Sequence, residues 1–260
     1  EYFLLRDRKV TLNRIELKRL FFDFFQNRDY HIRDCAPLLP VKEMDGDEYK
    51  LTFRASIGSN FIIHTLQEGF SPFAVVQPAF RYHDYPRVGD GFHLASFEMA
   101  GAAARQNPEN KIRIFLDGLS FLQSLGIPKE KLWATYFSGG EVKSRIVSSQ
   151  SFPPDKDALN LFKRFGIKED RIVGCGANVA FVGLTAEDPY SGPRAHVYFD
   201  RGEKYSCGSN CLPEHSETCQ RFVELSVFIS EHLEKEALER EERTFRLVPM
   251  GSGRIPFICM

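Results

Sequence analysis

No stretch of this 260-residue chain approaches the roughly 18 consecutive apolar residues that a membrane-spanning helix requires, so a helical membrane protein is excluded as a reading. Charge of one sign is also missing. Lys and Arg total 34 against 35 Asp and Glu, leaving a formal net charge of −1. A global basic field that would recruit nucleic acid is therefore absent. A nucleic-acid partner would have to use a local patch or another part of a longer protein. Cysteines are few, six in all, and their irregular spacing does not make a secreted disulfide framework in a chain this long. No signal-peptide pattern follows Glu1. These absences lead to the expectation of a cytoplasmic protein without a membrane partner.

What is present is core-forming material. The sequence is 43% hydrophobic and 27% charged, with 24 phenylalanines. That balance suits one large globular domain over residues 1–260. Residues 11–25 read as a helix capped by Thr11 or Asn13, with Leu12, Ile15, Leu17, Leu20, Phe21, Phe24 and Phe25 on its apolar face. Ala102–Arg105 and Ile112–Leu125 also carry helical patterning, ended by Gly126-Ile127-Pro128. Leu132–Phe137 reads as a strand around the single tryptophan, Trp133, taken as a core anchor. Asp155–Phe165 reads as a helix closed by Gly166. Arg221–Phe228 suits a helix or a strand.

The chain is organised around residues 73–99. An apolar strand ends at Phe80-Arg81, a loop follows, and a second strand alternates from His93, so that Ala95, Phe97 and Met99 share a face. An arginine ending an apolar strand, with a histidine and an aromatic on the hairpin partner, suits a nucleotide. The guanidinium takes a phosphate bidentately and the ring stacks on a base. The plainer alternative is an exposed arginine, a surface histidine and a core phenylalanine.

Arg81, Asp84, Val88-Gly89, His93-Leu94 and Phe97-Glu98-Met99 resemble motif 2 of class II aminoacyl-tRNA synthetases, in the form seen in alanyl-tRNA synthetases. His83 stands where the family has asparagine, and Asp90 and Phe92 occupy a loop that usually carries arginines. Phe21-Phe22-Asp23-Phe24-Phe25 is similar to motif 1. Lys50–Ile57 is similar to the family segment Leu-Phe-Thr-Asn-Ala-Ser-Ile, with Arg54 in place of the asparagine. The resemblance implies an α+β fold, an antiparallel sheet flanked by helices, as a single catalytic domain over residues 1–260. It also implies ATP with Mg²⁺ as cofactor, amino acid and tRNA as partners, and a homodimer. By the same resemblance Arg81 would offset charge at the α-phosphate, Phe97 would stack on adenine, and Asp84 and His93 would orient the loop or triphosphate. Arg54 would be a secondary phosphate or substrate contact.

On the substrate side the chain departs further. Asn178-Val179-Ala180 replaces Asn-Phe-Trp, so Ala180 stands for a pocket tryptophan. His196 replaces a glutamate before the closely matching Tyr198-Phe199-Asp200-Arg201-Gly202. The Trp-Asn pair expected after Arg221-Phe222-Val223-Glu224 is absent. Gly251, Gly253 and Arg254 are a weak echo of motif 3, without its aspartate. These departures imply a pocket diverged from alanine.

Cys207, Cys211, His215 and Cys219 recur every four residues, which can close a tetrahedral Zn²⁺ knuckle over 207–219; the alternative is a surface loop with unrelated cysteines. Cys35, Cys175 and Cys259 read as buried thiols. The expectation is an adenylate-forming ligase that transfers an amino acid to tRNA. The alternatives are a synthetase-like module that binds nucleotide, RNA or protein without activation, or an enzyme that activates another acid for a non-tRNA acceptor.

Overall fold

The computed structural model describes residues 13–39, 41–45, 48–89, 93–105, 107–143, 149–182, 190–214, 219–233 and 245–251. The chain divides into two compact units, one formed mainly by residues 9–104 and the other mainly by residues 105–248.

The first unit opens with α1 (Arg14–Gln26). The Asn13 side chain accepts from the Glu16 amide while the Glu16 carboxylate reaches back to the Asn13 amide, a reciprocal capping box. Asn13 is thus the cap, and Thr11 and Leu12 lie outside the described residues. The buried stripe is Leu17, Phe21 and Phe25, whereas Ile15 is exposed. A short β1 (His31–Ile32) follows, then the hairpin of β2 (Val41–Asp45) and β3 (Glu48–Thr52), helix α2 (Ser59–Gln67), and β4 (Phe73–Phe80). β1 runs parallel to β4. β4 pairs antiparallel with β5 (Ser96–Arg105), from Phe73↔Ala103 to Phe80↔Ser96.

Two expectations are corrected here. Ala102–Arg105 is the end of β5, not a helix. Alanine favours helix by intrinsic propensity, but here Ala100–Ala104 are all buried between other elements, and small side chains suit a strand covered on both faces. The second strand also begins at Ser96, later than His93, because its partner β4 ends at Phe80, opposite Ser96, before the chain turns into a 3₁₀ helix at Tyr82–Arg87. Gln77 is wholly buried in β4. Its amide accepts from the Ala36 N–H at 2.9 Å and donates to the Ala36 carbonyl at 2.9 Å, which pins the chain after β1 to the sheet.

The second unit contains α3 (Pro108–Ser124), β6 (Leu132–Phe137), the hairpin of β7 (Gly140–Val142) and β8 (Gln150–Phe152), α4 (Lys156–Phe165), β9 (Ile172–Cys175), the single turn α5 (Ala177–Ala180), β10 (Phe181–Val182), β11 (Tyr190–Asp200), β12 (Phe222–Leu233) and β13 (Phe245–Gly251). Asp155 caps α4 and Gly166 closes it in the left-handed region at φ 106°. Arg221–Phe228 thus resolves as strand from Phe222 onward. In this unit β12 pairs antiparallel with β13 and β11, β11 pairs antiparallel with β6, and β9 joins the edge of β6 in parallel. α3 and α4 supply the core on one face. Phe115 stacks on Phe228 with centroids 4.1 Å apart and meets Phe162 edge-on at 4.8 Å. The expected antiparallel-rich sheet with flanking helices is the architecture observed.

Candidate functional site

In the first unit, the end of β4 delivers Arg81 beside the segment Arg54–Ile57. The Phe80 amide donates to the Arg54 carbonyl at 2.8 Å, and the Arg81 amide donates to the Ala95 carbonyl at 2.7 Å. These bonds fix the arginine backbone on both sides. Its Nε donates to the Ala55 carbonyl at 2.9 Å, its Nη1 lies 4.0 Å from Asp84, and its guanidinium carbon sits 5.1 Å from the Phe97 ring centroid. A third of the side chain stays exposed. Arg81, Asp84 and Phe97 are therefore brought together. His93 lies with Arg87, Nε2 to Nη1 at 3.3 Å. Arg87 was not singled out from the sequence, although its place in the loop before Val88-Gly89 could have drawn attention to it. Arg54 faces inward, donating to the Pro37 carbonyl at 3.5 Å and the Ile57 carbonyl at 3.3 Å. It braces the segment whose next carbonyl, that of Ala55, receives Arg81.

Glu98, on β5 next to Phe97, accepts from Lys18 and pairs with Arg14, both on α1 and both at 3.2 Å. The motif 1-like helix is thus keyed to the strand that carries Phe97.

In the second unit, His196 is 3% exposed on β11. A bulge places its partner: Val197 pairs with Ser226, but Tyr198 pairs with Glu224, so Leu225 is skipped. The His196 Nδ1 lies 3.1 Å from Glu224 Oε2, and its buried Nε2 meets no partner among the described residues. A carboxylate only accepts, so Nδ1 carries the hydrogen in this contact. The His196 ring stacks on Tyr198 at 5.9 Å and 15°. The Tyr198 hydroxyl donates to Glu214. Burial, then the charges of Glu224 and Glu214, hold the phenol well above its ordinary range. Neither Glu214 nor Glu224 was picked out from the sequence. Glu224 lay within a matched segment, whereas Glu214 carried no signal. Ala180 is fully buried with Phe137, Val142 and Phe181.

The loop between β11 and β12 holds the cysteines. Cys207 Sγ is 3.5 Å from Cys211 Sγ, which is 3.4 Å from Cys219 Sγ. Burial raises the Cys211 thiol, but hydrogen bonds from Cys207 and Ser206 outweigh it and bring it to about 7. Cys207, hydrogen-bonded to Cys219, is pushed up to about 11. His215, the fourth expected ligand, lies outside the described residues, as does Cys259. Cys35 is exposed, which corrects the expectation of a buried thiol: it sits in the irregular segment after β1 rather than in a strand. Cys175 is half-buried and pushed up to about 11 by burial and by the charge of Glu214. The loop's base is closed by Arg221, whose Nε and Nη2 donate to both oxygens of Asp200 at 2.8 and 2.9 Å.

The family of class II (A) tRNA synthetases matches residues 16–249. This chain belongs to the class II tRNA synthetases. Within that family it is similar to the alanine–tRNA ligase of Rubrobacter xylanophilus, 30% identical over 251 residues. That alignment covers 92% of this chain and 27% of that ligase, so the chain spans about a quarter of its relative's length. Among solved structures, the apo histidyl-tRNA synthetase of S. aureus shares this synthetase fold with a TM-score of 0.53 at 15% identity, covering 99% of this chain and 69% of that one. An ATP phosphoribosyltransferase regulatory subunit/histidyl-tRNA synthetase from Bacillus halodurans shares it with a TM-score of 0.55 at 8% identity, covering 99% and 84%. Among the described residues, no helix of this synthetase domain is long and apolar enough to cross a membrane.

Proposed function

We propose that this chain activates a carboxylic acid with ATP, as an adenylate, and passes it to tRNA, with an amino-acid pocket diverged from alanine. The observation that carries the reading is Arg81, held by the Ala55 carbonyl and poised 5.1 Å over Phe97. One residue presents a planar cation for the α-phosphate, the other a ring for the base. In adenylation a carboxylate oxygen attacks the α-phosphorus in line and the bond to pyrophosphate breaks. No general base is required, so the chain's task is positioning and charge compensation. Arg81 offsets the charge that develops on the phosphorus oxygens, Arg87 adds positive potential toward the outer phosphates, and His93 beside it orients the loop or the triphosphate. Mg²⁺ takes oxygen ligands, and Asp84, the carboxylate nearest Arg81, would help hold it beside the ATP phosphates. It would screen charge between the phosphates when bound. Zn²⁺ at the cysteine loop would serve folding rather than bond making.

The test is ATP–pyrophosphate exchange against a panel of amino acids. Exchange with an acid other than alanine is expected, and loss of at least a hundredfold in Arg81→Ala, about 2.7 kcal/mol of transition-state stabilisation. Absence of exchange with every acid, in protein shown to be folded, would overturn the reading. So would unaltered ATP binding in Arg81→Ala.

A second reading is favoured by one observation. The wall at His196 is engaged by the chain's own Glu224, with Tyr198 tied to Glu214 beside it. A synthetase-like module that holds nucleotide, RNA or a protein without activating an acid would keep these side chains paired with one another. Exchange with any acid separates the two readings.

A further inference from the structure

Two buried polar atoms lie unpartnered on one face of the sheet in the second unit. His196 and Thr135 are register partners across β11 and β6, so their side chains share that face. Thr135 is fully buried and His196 nearly so. Neither His196 Nε2 nor Thr135 Oγ1 meets a hydrogen-bond partner among the described residues. The Thr135 hydroxyl nears the Tyr198 phenol without reaching a hydrogen bond. Ser226 Oγ is also unpartnered, but Ser226 pairs with Val197 and so lies on the opposite face. A buried donor or acceptor left unmade is costly, and folded proteins rarely keep two side by side unless something fills the place between them.

The ring sets the chemistry of the missing group. Nδ1 carries the hydrogen that faces Glu224 on β12, so in the neutral ring Nε2 is a bare acceptor. The two ring nitrogens point nearly opposite ways, which turns Nε2 from β12 toward β6, the strand of Thr135. The group between must therefore donate. A carboxylate behind a histidine also makes its other nitrogen more basic, as it does for metal-bound imidazoles. Negative charge gathers here. Carboxylate oxygens of Glu214 and Glu224 and a His196 ring nitrogen lie within 4.8 Å of one another. After burial, these two charges are what raise the Tyr198 phenol. Arg194, the one cation of β11, is occupied elsewhere, its Nε donating to the Val179 carbonyl at 2.5 Å. A donor that is also cationic suits such surroundings better than a hydroxyl, and an apolar group would leave both atoms unmade.

We infer that His196 Nε2 and the Thr135 hydroxyl receive a primary ammonium carried on the side chain of the bound acid, so that the substrate class is a diamino acid. One N–H of the ammonium donates to Nε2 and another to Thr135 Oγ1, leaving the third for water. The α-ammonium is common to every amino acid, whereas His196 stands where the resembled synthetases have a glutamate. The pair thus reads what sets this acid apart. The assignment deepens the activation reading and rests on it for calling the ligand an acid.

The experiment is calorimetric titration of the full chain with diaminobutyrate, ornithine and lysine. Each is set beside the isosteres that carry a hydroxyl or a methyl in place of the terminal amine. One diamino acid is expected to bind at least about thirtyfold tighter than both its isosteres, because a site built to receive a donor rejects an analogue without it. Thr135→Val should erase most of that preference and yet raise the thermal midpoint of the free chain, since it removes an unmade buried hydroxyl. His196→Leu should lose the preference too, whereas His196→Gln, whose amide oxygen can accept near the Nε2 position, should keep part of it. Nitrogen spectra of labelled histidine should show His196 Nε2 unprotonated at neutral pH and shifted by the diamino acid. Equal affinity for amine and isosteres, as a site for the α-ammonium or for water alone would give, would overturn the assignment. So would a preference that survives in Thr135→Val or in His196→Leu, or a protonated Nε2 in the free chain. A chain that binds a diamino acid as described yet exchanges no acid would refute activation and leave this site standing. Exchange without any preference for the amine would do the reverse.

Discussion

Arg221 and Asp200 hold the base of the cysteine loop with both partners largely withdrawn from water. Two parallel N–H···O bonds and the Trp133 indole, 3.2 Å away, satisfy the carboxylate. Removing one partner leaves a buried charge uncompensated, so Arg221→Leu should cost about 3 kcal/mol in denaturant unfolding. The pH dependence has a definite sign. Burial pushes the Asp200 carboxyl up, but hydrogen bonds from Arg221 and Gly202 and the Arg221 charge hold it below its ordinary range. A depressed folded value means the contribution is complete above the unfolded pKa, about 3.9, and drains away as pH falls through the lower folded one. Arg221→Leu should therefore lose less stability than the wild type when pH drops from about 6 to about 3; equal losses would refute the pairing as the source. Both residues were legible as matched motif positions. Their pairing was not, because 21 positions separate them and only the β11–β12 register brings them together.

Helix α1 is the element most readable from sequence. Its stripe at helical spacing and its Asn-to-Glu cap are local signals, and local signals survive folding. Phe25 is fully buried against Tyr30 and Phe21, so Phe25→Ala should cost about 3–5 kcal/mol, whereas Asn13→Ala should cost about 1 kcal/mol through the lost cap. A Phe25→Ala loss under about 1 kcal/mol by thermal or chemical unfolding would contradict this burial. Strand β5 shows the opposite case. Its alanine run has the propensity of a helix, and only burial on both faces makes it a strand; that burial is a tertiary fact with no local trace. The same holds for the bulge that aims Glu224 at His196, since a skipped residue in one strand is defined only by its neighbour.

At the scale of the molecule, near-neutral charge sets how it meets nucleic acid. With a net charge of −1, non-specific RNA binding should be weaker than about 10⁻⁴ M at physiological salt, and a gel-shift titration of unrelated RNA checks this. Tight, steeply salt-dependent binding would reveal a basic patch that the totals conceal. The fold was legible chiefly through matched motifs in each unit, since periodicity by itself supplied helices and strands without an arrangement. The grouping of Arg81, Asp84 and Phe97 followed because they sit on one hairpin. The grouping of His196, Tyr198 and Glu214 did not, because Glu214 comes from an irregular loop without a motif. That loop rests on Trp133, and the chain has a single tryptophan. Its indole emission therefore has one origin. The colour of that light, read in an unlabelled sample, is a gauge of whether the loop is seated, and can be followed in real time through unfolding and refolding.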